Sequence, residues 1–142
     1  MSTSKDDLLA GTHHGVLVTL KRDGRPQLSN VGHTYDPATG VIRISVTDGR
    51  AKTANLRRDA RASYYVTTPD MGAYLVAEGT AELMPVTTAP DDATADELVD
   101  VYREIAGEHP DWDEFRAAMV EDRRLVLRIT VDRTYGWAGV NG

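Results

Sequence analysis

Residues 74–84 alternate between two kinds of side chain, and this alternation limits the possible fold more than any other feature of the chain. One set of alternate positions is small or apolar: Leu75, Ala77, Gly79, Ala81 and Leu83. Successive side chains of a β-strand point to opposite faces of the sheet, so the pattern predicts a strand with one buried face. Small residues on that face allow the tight curve of a barrel wall.

Further strands are predicted at residues 16–20, 25–34, 41–46, 62–67 and 125–131. The Asp-Gly pair at residues 23–24 favours a tight hairpin turn, and hairpins join antiparallel strands. Amphipathic helices are predicted from a cap at Thr94 to about Ala106 and onward from a cap at Asp111, and a short one begins at a Ser4 cap. We therefore predict a single α+β domain over residues 1–142, with a six-stranded, mainly antiparallel, closed or nearly closed sheet and flanking helices.

Composition excludes several functional classes. The 142 residues contain no cysteine, which removes disulfides, thiolate catalysis and most structural zinc sites. The net charge of −6 argues against a general nucleic-acid-binding protein. There is no run of eighteen apolar residues and no signal peptide, so we expect a cytoplasmic protein without a membrane segment.

A basic stretch at residues 47–61 interrupts this acidic chain and is predicted to form a helix after the strand at 41–46. Arg50 and Lys52 fall in its first turn, where the helix dipole already disfavours cations. Cations at a strand–turn–helix junction are typical of a phosphate site. The alternative is a solvated basic face, and Arg57, Arg58 and Arg61 need no ligand because cations suit a helix C-terminus.

Other catalytic patterns are absent or weak. The sequence has no dinucleotide-binding or P-loop glycine motif and no nucleophile elbow, and its four histidines show no metal-chelating spacing. His33 is predicted either to line a cavity or to be a satisfied residue of the sheet wall. An anion site without an evident nucleophile fits chemistry carried by a bound cofactor.

Five segments together resemble one known family: residues 24–31 (GRPQLSNV), 50–61 (RAKTANLRRDAR), 76–83 (VAEGTAEL), 102–112 (YREIAGEHPDW) and 122–127 (DRRLVL). They are similar to the pyridoxamine-phosphate-oxidase-like flavin and deazaflavin proteins. Within that family they resemble the actinobacterial F420-dependent oxidoreductases. The likeness runs in order from Leu8 to Trp137.

The resemblance implies an FMN-binding type of split β-barrel and a homodimer with a cofactor cleft at the subunit interface. It implies that Arg50 and Lys52 bind the F420 phosphodiester and that Tyr74 comes from the partner subunit. The other cofactor contacts that it implies are Gln27, Ser29, Asn30, Ser45, Val46, Thr47 and Asn55. Relatives tend to hold an aromatic residue shortly before this tyrosine, whereas residues 70–73 read Asp-Met-Gly-Ala.

The implied reaction is hydride transfer from reduced F420 to a small unsaturated or quinone-like acceptor, with His33, Tyr74 or water supplying any proton. One alternative is an FMN-dependent oxidase or flavin reductase of the same fold. FMN carries a single phosphate and therefore needs fewer cations than the five that Lys21, Arg22, Arg25, Arg50 and Lys52 provide. A second alternative is an F420-binding carrier without turnover. The aromatic residues Tyr64, Tyr65 and Trp137 are candidates for a hydrophobic dimer interface.

Overall fold

A computed structural model of the protein describes residues 5–137. The helices are α1 (Lys5–Ala10), α2 (Ala51–Arg58), α3 (Ala93–Ala106) and α4 (Trp112–Glu121). The strands are β1 (His14–Leu20), β2 (Pro26–Gly32), β3 (Thr34–Asp36), β4 (Val41–Thr47), β5 (Arg61–Thr67), β6 (Tyr74–Leu83) and β7 (Arg124–Trp137). The predicted Ser4 cap lies outside the described residues. Among residues 5–137, no helix is long and apolar enough to span a lipid bilayer.

All seven strands form one antiparallel sheet in the order β2-β1-β5-β6-β7-β4-β3. The sheet curls until its β2 edge contacts β4, which makes a half-barrel that β2 and β3 leave open. The predicted α+β class and the nearly closed antiparallel sheet are therefore confirmed.

The predicted count of six strands is wrong, because residues 25–34 form two strands instead of one. The chain bends at His33, whose backbone N–H donates to the His13 carbonyl at 2.8 Å. Before the bend β2 pairs with β1, and after it β3 pairs with β4 at the other edge of the sheet. Local alternation continues through the bend, so it carries no signal of the change in pairing partner.

The last strand is also longer than predicted. β7 runs to Trp137 because it pairs with β4 along its first half and with β6 along most of its length. A register shift between Glu78 and Gly79 breaks the alternation of the facing strand. A Cβ on Gly79 would lie 2.2 Å from the carbonyl oxygen of Thr130, so the curve at this point requires glycine.

The core fills the inside of the half-barrel. The alternating residues of β4 and β6 point into it, including Ile42, Ile44 and Leu75 at 0% exposure. Tyr64 is also fully buried there, so it is unavailable for the predicted interface role, whereas Trp137 is 46% exposed.

Helices α3 and α4 cover the outer face of β7 through a second, smaller cluster. Leu98, Val99, Phe115 and Val126 are buried in it, with Tyr102, Trp112 and Met119 packed alongside. The cap of α3 is Asp92 instead of the predicted Thr94, because its carboxylate accepts the Ala95 N–H at 2.7 Å. The predicted Asp111 cap of α4 is confirmed by its bond from the Glu114 N–H at 3.1 Å.

Candidate functional site

The junction between β4 and α2 forms the centre of the candidate site. After Thr47 the chain turns through Asp48 and Gly49, and Gly49 has a positive φ of 85° that favours glycine. The Thr53 hydroxyl donates to the Thr47 carbonyl at 2.9 Å and ties the helix to the strand end. The helix follows this turn as predicted, with Arg50 as its N-cap, but it ends at Arg58, earlier than predicted, and Arg61 belongs to β5.

Three of the five basic residues in this stretch have partners within the protein. Arg57 and Arg123 both bind the Asp48 carboxylate at 2.6 Å, and these two guanidinium groups hold the pKa of Asp48 below its usual range. Arg58 donates to the Leu20 carbonyl at 2.6 Å. Arg61 pairs with Asp59 at 2.7 Å. These contacts explain the three arginines without a ligand.

Arg50 and Lys52 differ from their neighbours, because no carboxylate within residues 5–137 forms an ion pair with either of them. Lys52 is partly buried beside the start of β7. Burial lowers the pKa of the Lys52 amine, and the positive charges of Arg50 and Arg124 lower it further. Three cations therefore converge, and within residues 5–137 only Arg124 of the three has a carboxylate partner, Asp122 at 3.1 Å. A bound anion would stabilise this excess of positive charge.

Arg124 is the member of this cluster that the sequence did not reveal. It pairs with Thr47 in the sheet, and its Nη1 lies 3.4 Å from the Ser45 hydroxyl. Its Nε donates to the Asp122 carboxylate at 3.1 Å. The only sequence signal was a basic residue at the beginning of a predicted strand. Its proximity to Lys52 depends on the pairing of β4 with β7, which are far apart in the chain.

The residues of β4 divide between the two faces of the sheet. Ser45 and Thr47 lie on the outer face, on the side of Arg124, and both are partly exposed. Val46 points inward and is 1% exposed. The structure therefore makes the Val46 side chain unavailable to a ligand on the outer face.

The predicted contacts on β2 and α2 lie in two different environments. Gln27 and Ser29 face the inside of the half-barrel and are partly exposed near its open edge. Asn55 is 7% exposed, and its Nδ2 donates to the Thr19 hydroxyl at 3.1 Å while its Oδ1 accepts from Arg58 at 3.2 Å. These bonds already use the amide of Asn55 to fasten α2 to β1.

Asn30 and Tyr74 lie on the outer face of the sheet, away from Gln27 and Ser29. Asn30 is exposed opposite Val16. The Tyr74 ring is 36% exposed and lies 5.9 Å from the Tyr65 ring. Before Tyr74, Met71 is 72% exposed in the loop where relatives tend to hold an aromatic residue.

His33 is fully buried, and both of its ring nitrogens have partners. Nε2 donates to the Leu9 carbonyl at 3.0 Å, so Nδ1 accepts the Tyr64 hydroxyl at 2.5 Å. Burial lowers the pKa of the imidazole to about 4, and burial also raises the pKa of Tyr64 well above its usual range. Of the two predictions for His33, this geometry fits a residue of the sheet wall whose polar atoms are all hydrogen-bonded. Neither ring nitrogen is free to contact a bound acceptor.

A groove of about 670 Å³ runs along α2 beside the β1–β2 turn. Its floor includes Ala51 and Ala54, and its rim carries Lys21, Arg22, Arg57 and Arg58 against Asp23. The basic surface thus continues from the three-cation cluster of Arg50, Lys52 and Arg124 along the helix.

The three-cation cluster fits the phosphate of a phosphate-bearing cofactor. Arginine and lysine side chains bind phosphate through charge-assisted hydrogen bonds, and burial strengthens such contacts. Within residues 5–137, no group of three or more histidine, cysteine, aspartate or glutamate side chains is arranged to hold a metal ion. The three-cation cluster itself consists of two guanidinium groups and one amine, a donor set suited to an anion.

Comparisons with known proteins show which family the chain resembles. A family model described as pyridoxamine 5′-phosphate oxidase matches residues 3–138. The chain is 30% identical to an F420H(2)-dependent biliverdin reductase of Mycobacterium tuberculosis (strain CDC 1551 / Oshkosh) over 136 residues, which cover 94% of this chain and 88% of that protein.

Solved structures share the fold at lower identity. An F420 reductase superposes with a TM-score of 0.67 at 22% identity, covering 92% of this chain and 94% of the other. HutZ, the heme storage protein from Vibrio cholerae, superposes with a TM-score of 0.73 at 12% identity and full coverage of both chains. The fold therefore serves more than one function, and the site has to decide which applies here.

Proposed function

The chain belongs to the pyridoxamine 5′-phosphate oxidase family, and on that premise we propose that it is an F420H2-dependent oxidoreductase. Its substrate is a small unsaturated or quinone-like hydride acceptor. The observation that carries the proposal is the convergence of Arg50, Lys52 and Arg124, of which Arg50 and Lys52 form no ion pair with a carboxylate of residues 5–137. The 30% identity to the F420H(2)-dependent biliverdin reductase of Mycobacterium tuberculosis supports this choice of cofactor.

The residues of the chain hold and orient the cofactor in this proposal. Arg50, Lys52 and Arg124 bind its phosphodiester, with the Ser45 and Thr47 hydroxyls beside them on the outer face. Gln27 and Ser29 contact the ring or its side chain from the open edge of the half-barrel. The bound deazaflavin supplies the hydride, and the protein contributes alignment of donor and acceptor at contact distance.

The proposed enzyme is a homodimer with the cofactor at the subunit interface. Tyr65, Tyr74, Tyr135 and Trp137 lie on the outer face of neighbouring strands, and the last three are each at least 36% exposed. Exposed aromatic residues that form one patch are typical of protein–protein interfaces. In the dimer, Tyr74 of the second copy reaches the cofactor of the first.

A binding titration with F420 and, separately, with FMN tests the proposal. We expect micromolar or tighter binding of F420 and weaker binding of FMN, followed by fluorescence. Oxidation of reduced F420 by an acceptor panel containing biliverdin and menadione then tests turnover. Tight F420 binding without oxidation by any acceptor would leave a carrier protein, and binding of neither cofactor would overturn the proposal.

FMN is the second candidate, and one observation favours it. A phosphomonoester carries close to two negative charges at neutral pH, and three converging cations can balance such a group. Purification of the protein as a yellow complex with bound FMN would select this alternative and make the three-cation cluster a monophosphate site.

A further inference from the structure

A second cavity, of about 540 Å³, lies at the start of β1 and the end of β2. Its lining consists of His14, Gly15, Val16, Asn30, Val31 and Gly32. His14 pairs with Gly32 across the strands, so no side chain stands directly opposite its imidazole. The cavity contains Asn30, one of the residues for which the family resemblance implies a cofactor contact.

The cavity is continuous with the exposed aromatic face. Val16 pairs with Tyr65 of β5, Tyr65 pairs with Val76 of β6, and Val76 pairs with Tyr135 of β7. These four residues therefore form a row across the sheet that ends at the cavity. The cavity itself is lined mainly by apolar atoms, with the His14 imidazole and the Asn30 amide as its polar side chains. Such a lining suits a flat conjugated molecule with a heteroatom at one end.

His14 is the histidine within residues 5–137 that is open to such a molecule. His33 is buried with both nitrogens bonded. Nδ1 of His13 lies 3.2 Å from the His33 carbonyl oxygen. The His109 ring accepts the Asp111 N–H at 2.9 Å, and it packs against the rings of Tyr102, Trp112 and Phe115. The His14 side chain is exposed, and no hydrogen bond or ion pair engages it.

We propose that this cavity binds the hydride acceptor and that His14 is the catalytic residue that protonates it. The inference rests on the proposed function. The acceptor's conjugated π bond breaks as its carbon receives a hydride, with both electrons, from the reduced cofactor, which is thereby oxidised and releases a proton to water. The electron pair of the π bond moves to the acceptor's oxygen or nitrogen, which takes a proton from the His14 imidazolium. Water then returns a proton to the exposed ring.

A pair of substitutions at neighbouring histidines tests this role. General acid catalysis contributes roughly 10²- to 10⁴-fold to a rate, so we expect His14→Gln to lower kcat by at least about 10²-fold with the best acceptor of the panel. F420 affinity should stay within about twofold, because His14 is not near the three-cation cluster. His13→Gln is the matched control and should keep kcat within about threefold.

Chemical rescue separates proton donation from a structural role. In His14→Gly, added imidazole should restore a large part of the lost kcat, since a free imidazole can occupy the space and donate a proton. A merely structural histidine would give no such rescue. Full activity in His14→Gln, or activity lost without any imidazole rescue, would overturn the assignment while leaving the F420-dependent reductase in place.

A readout without turnover tests the cavity itself. Imidazole signals of the protein with oxidised F420 are followed by nuclear magnetic resonance while menadione is added. The His14 signals should shift, and those of His109 should not. If menadione shifts other imidazole signals but not those of His14, the proposed acceptor site is wrong. A wild-type protein that oxidises no reduced F420 with any acceptor would overturn the proposed function and this inference together.

Discussion

At the scale of single residues, Lys52 is the most informative cation of the chain. We expect Lys52→Ala to weaken F420 binding roughly ten- to a hundred-fold, since a hydrogen bond to a charged group contributes about 1.5–3 kcal/mol. Arg124→Gln should weaken binding about tenfold for the same reason. Fluorescence titration at fixed ionic strength measures both.

The matched control for these variants is Arg61→Ala. This substitution removes one positive charge from the same basic stretch. Arg61, however, lies on β5 and already forms an ion pair with Asp59. Its F420 affinity should remain within about twofold of wild type. An equal loss in all three variants would mean that the net charge, and not the three-cation cluster, attracts the cofactor.

His33 makes the stability of the protein depend on pH. Its folded-state pKa of about 4 lies below the ordinary value of 6.5, so the unfolded chain binds a proton more readily than the folded one. Stability from this residue is therefore complete above pH 6.5 and declines as the pH falls towards 4. At 1.36 kcal/mol per pH unit, the loss amounts to about 3 kcal/mol.

Urea unfolding at pH 7.5 and pH 4.5 measures this effect. In His33→Gln the decline between the two pH values should be smaller than in wild type by about 2–3 kcal/mol, although the variant starts from a lower stability. An unchanged decline in His33→Gln would show that other groups cause the acid sensitivity.

At the scale of secondary-structure elements, Asp92 fastens the helical layer to the sheet. Besides the Ala95 N–H, its carboxylate accepts the Thr87 hydroxyl at 2.8 Å and the Thr88 N–H at 2.9 Å. These bonds join the start of α3 to the segment that leaves β6. Asp92→Ala should lower the free energy of unfolding by about 1–2 kcal/mol, the upper range for a lost N-cap.

Thermal or urea unfolding of Asp92→Ala beside Asp91→Ala measures that contribution. Asp91 is exposed and precedes the cap by one residue, so its loss removes the same charge without the three bonds. We expect its stability to stay within about 0.5 kcal/mol of wild type. Equal stability of the two variants would rule out Asp92 as the anchor of α3.

Secondary-structure elements were predicted well wherever local periodicity decides them. The inward positions of β4 and β6 follow directly from alternation, as does the Asp111 cap from its place before an apolar stripe. The cap of α3 was placed two residues late because Asp92 and Thr94 are both good capping residues, and local sequence does not rank them. The Thr94 hydroxyl instead donates to the Pro85 carbonyl at 2.8 Å.

At the scale of the whole molecule, the exposed aromatic face predicts self-association. We expect the 15.5 kDa chain to sediment at twice its mass in analytical ultracentrifugation. Tyr135→Glu should shift the protein towards monomer, because a charge in the centre of an apolar interface is costly to bury. Thr130→Glu, an exposed position on the same strand outside the aromatic patch, is the control.

A dimer that persists in Tyr135→Glu but dissociates in Thr130→Glu would move the interface to another part of the sheet. Monomeric wild-type protein at micromolar concentration would contradict the proposed dimer altogether. In that case Tyr74 of a second copy would not be available to the cofactor.

The sequence by itself determined the features that depend on near neighbours in the chain. These include the α+β class, the antiparallel strands with their buried faces, and the isolation of Arg50 and Lys52 among the basic residues. Each follows from the two-residue period of a strand or from the electrostatics of a helix start, which act over a few residues.

Only the tertiary structure decided which distant segments meet. Residues 25–34 form two strands that meet at His33, because the first pairs with β1 at one edge of the curled sheet and the second pairs with β4 at the other. The tertiary structure also placed Arg124 beside Lys52, buried His33 against Tyr64 and left His14 open at a cavity. All of these positions depend on pairing between strands that are far apart in the sequence. Local sequence patterns do not specify which distant strands pair.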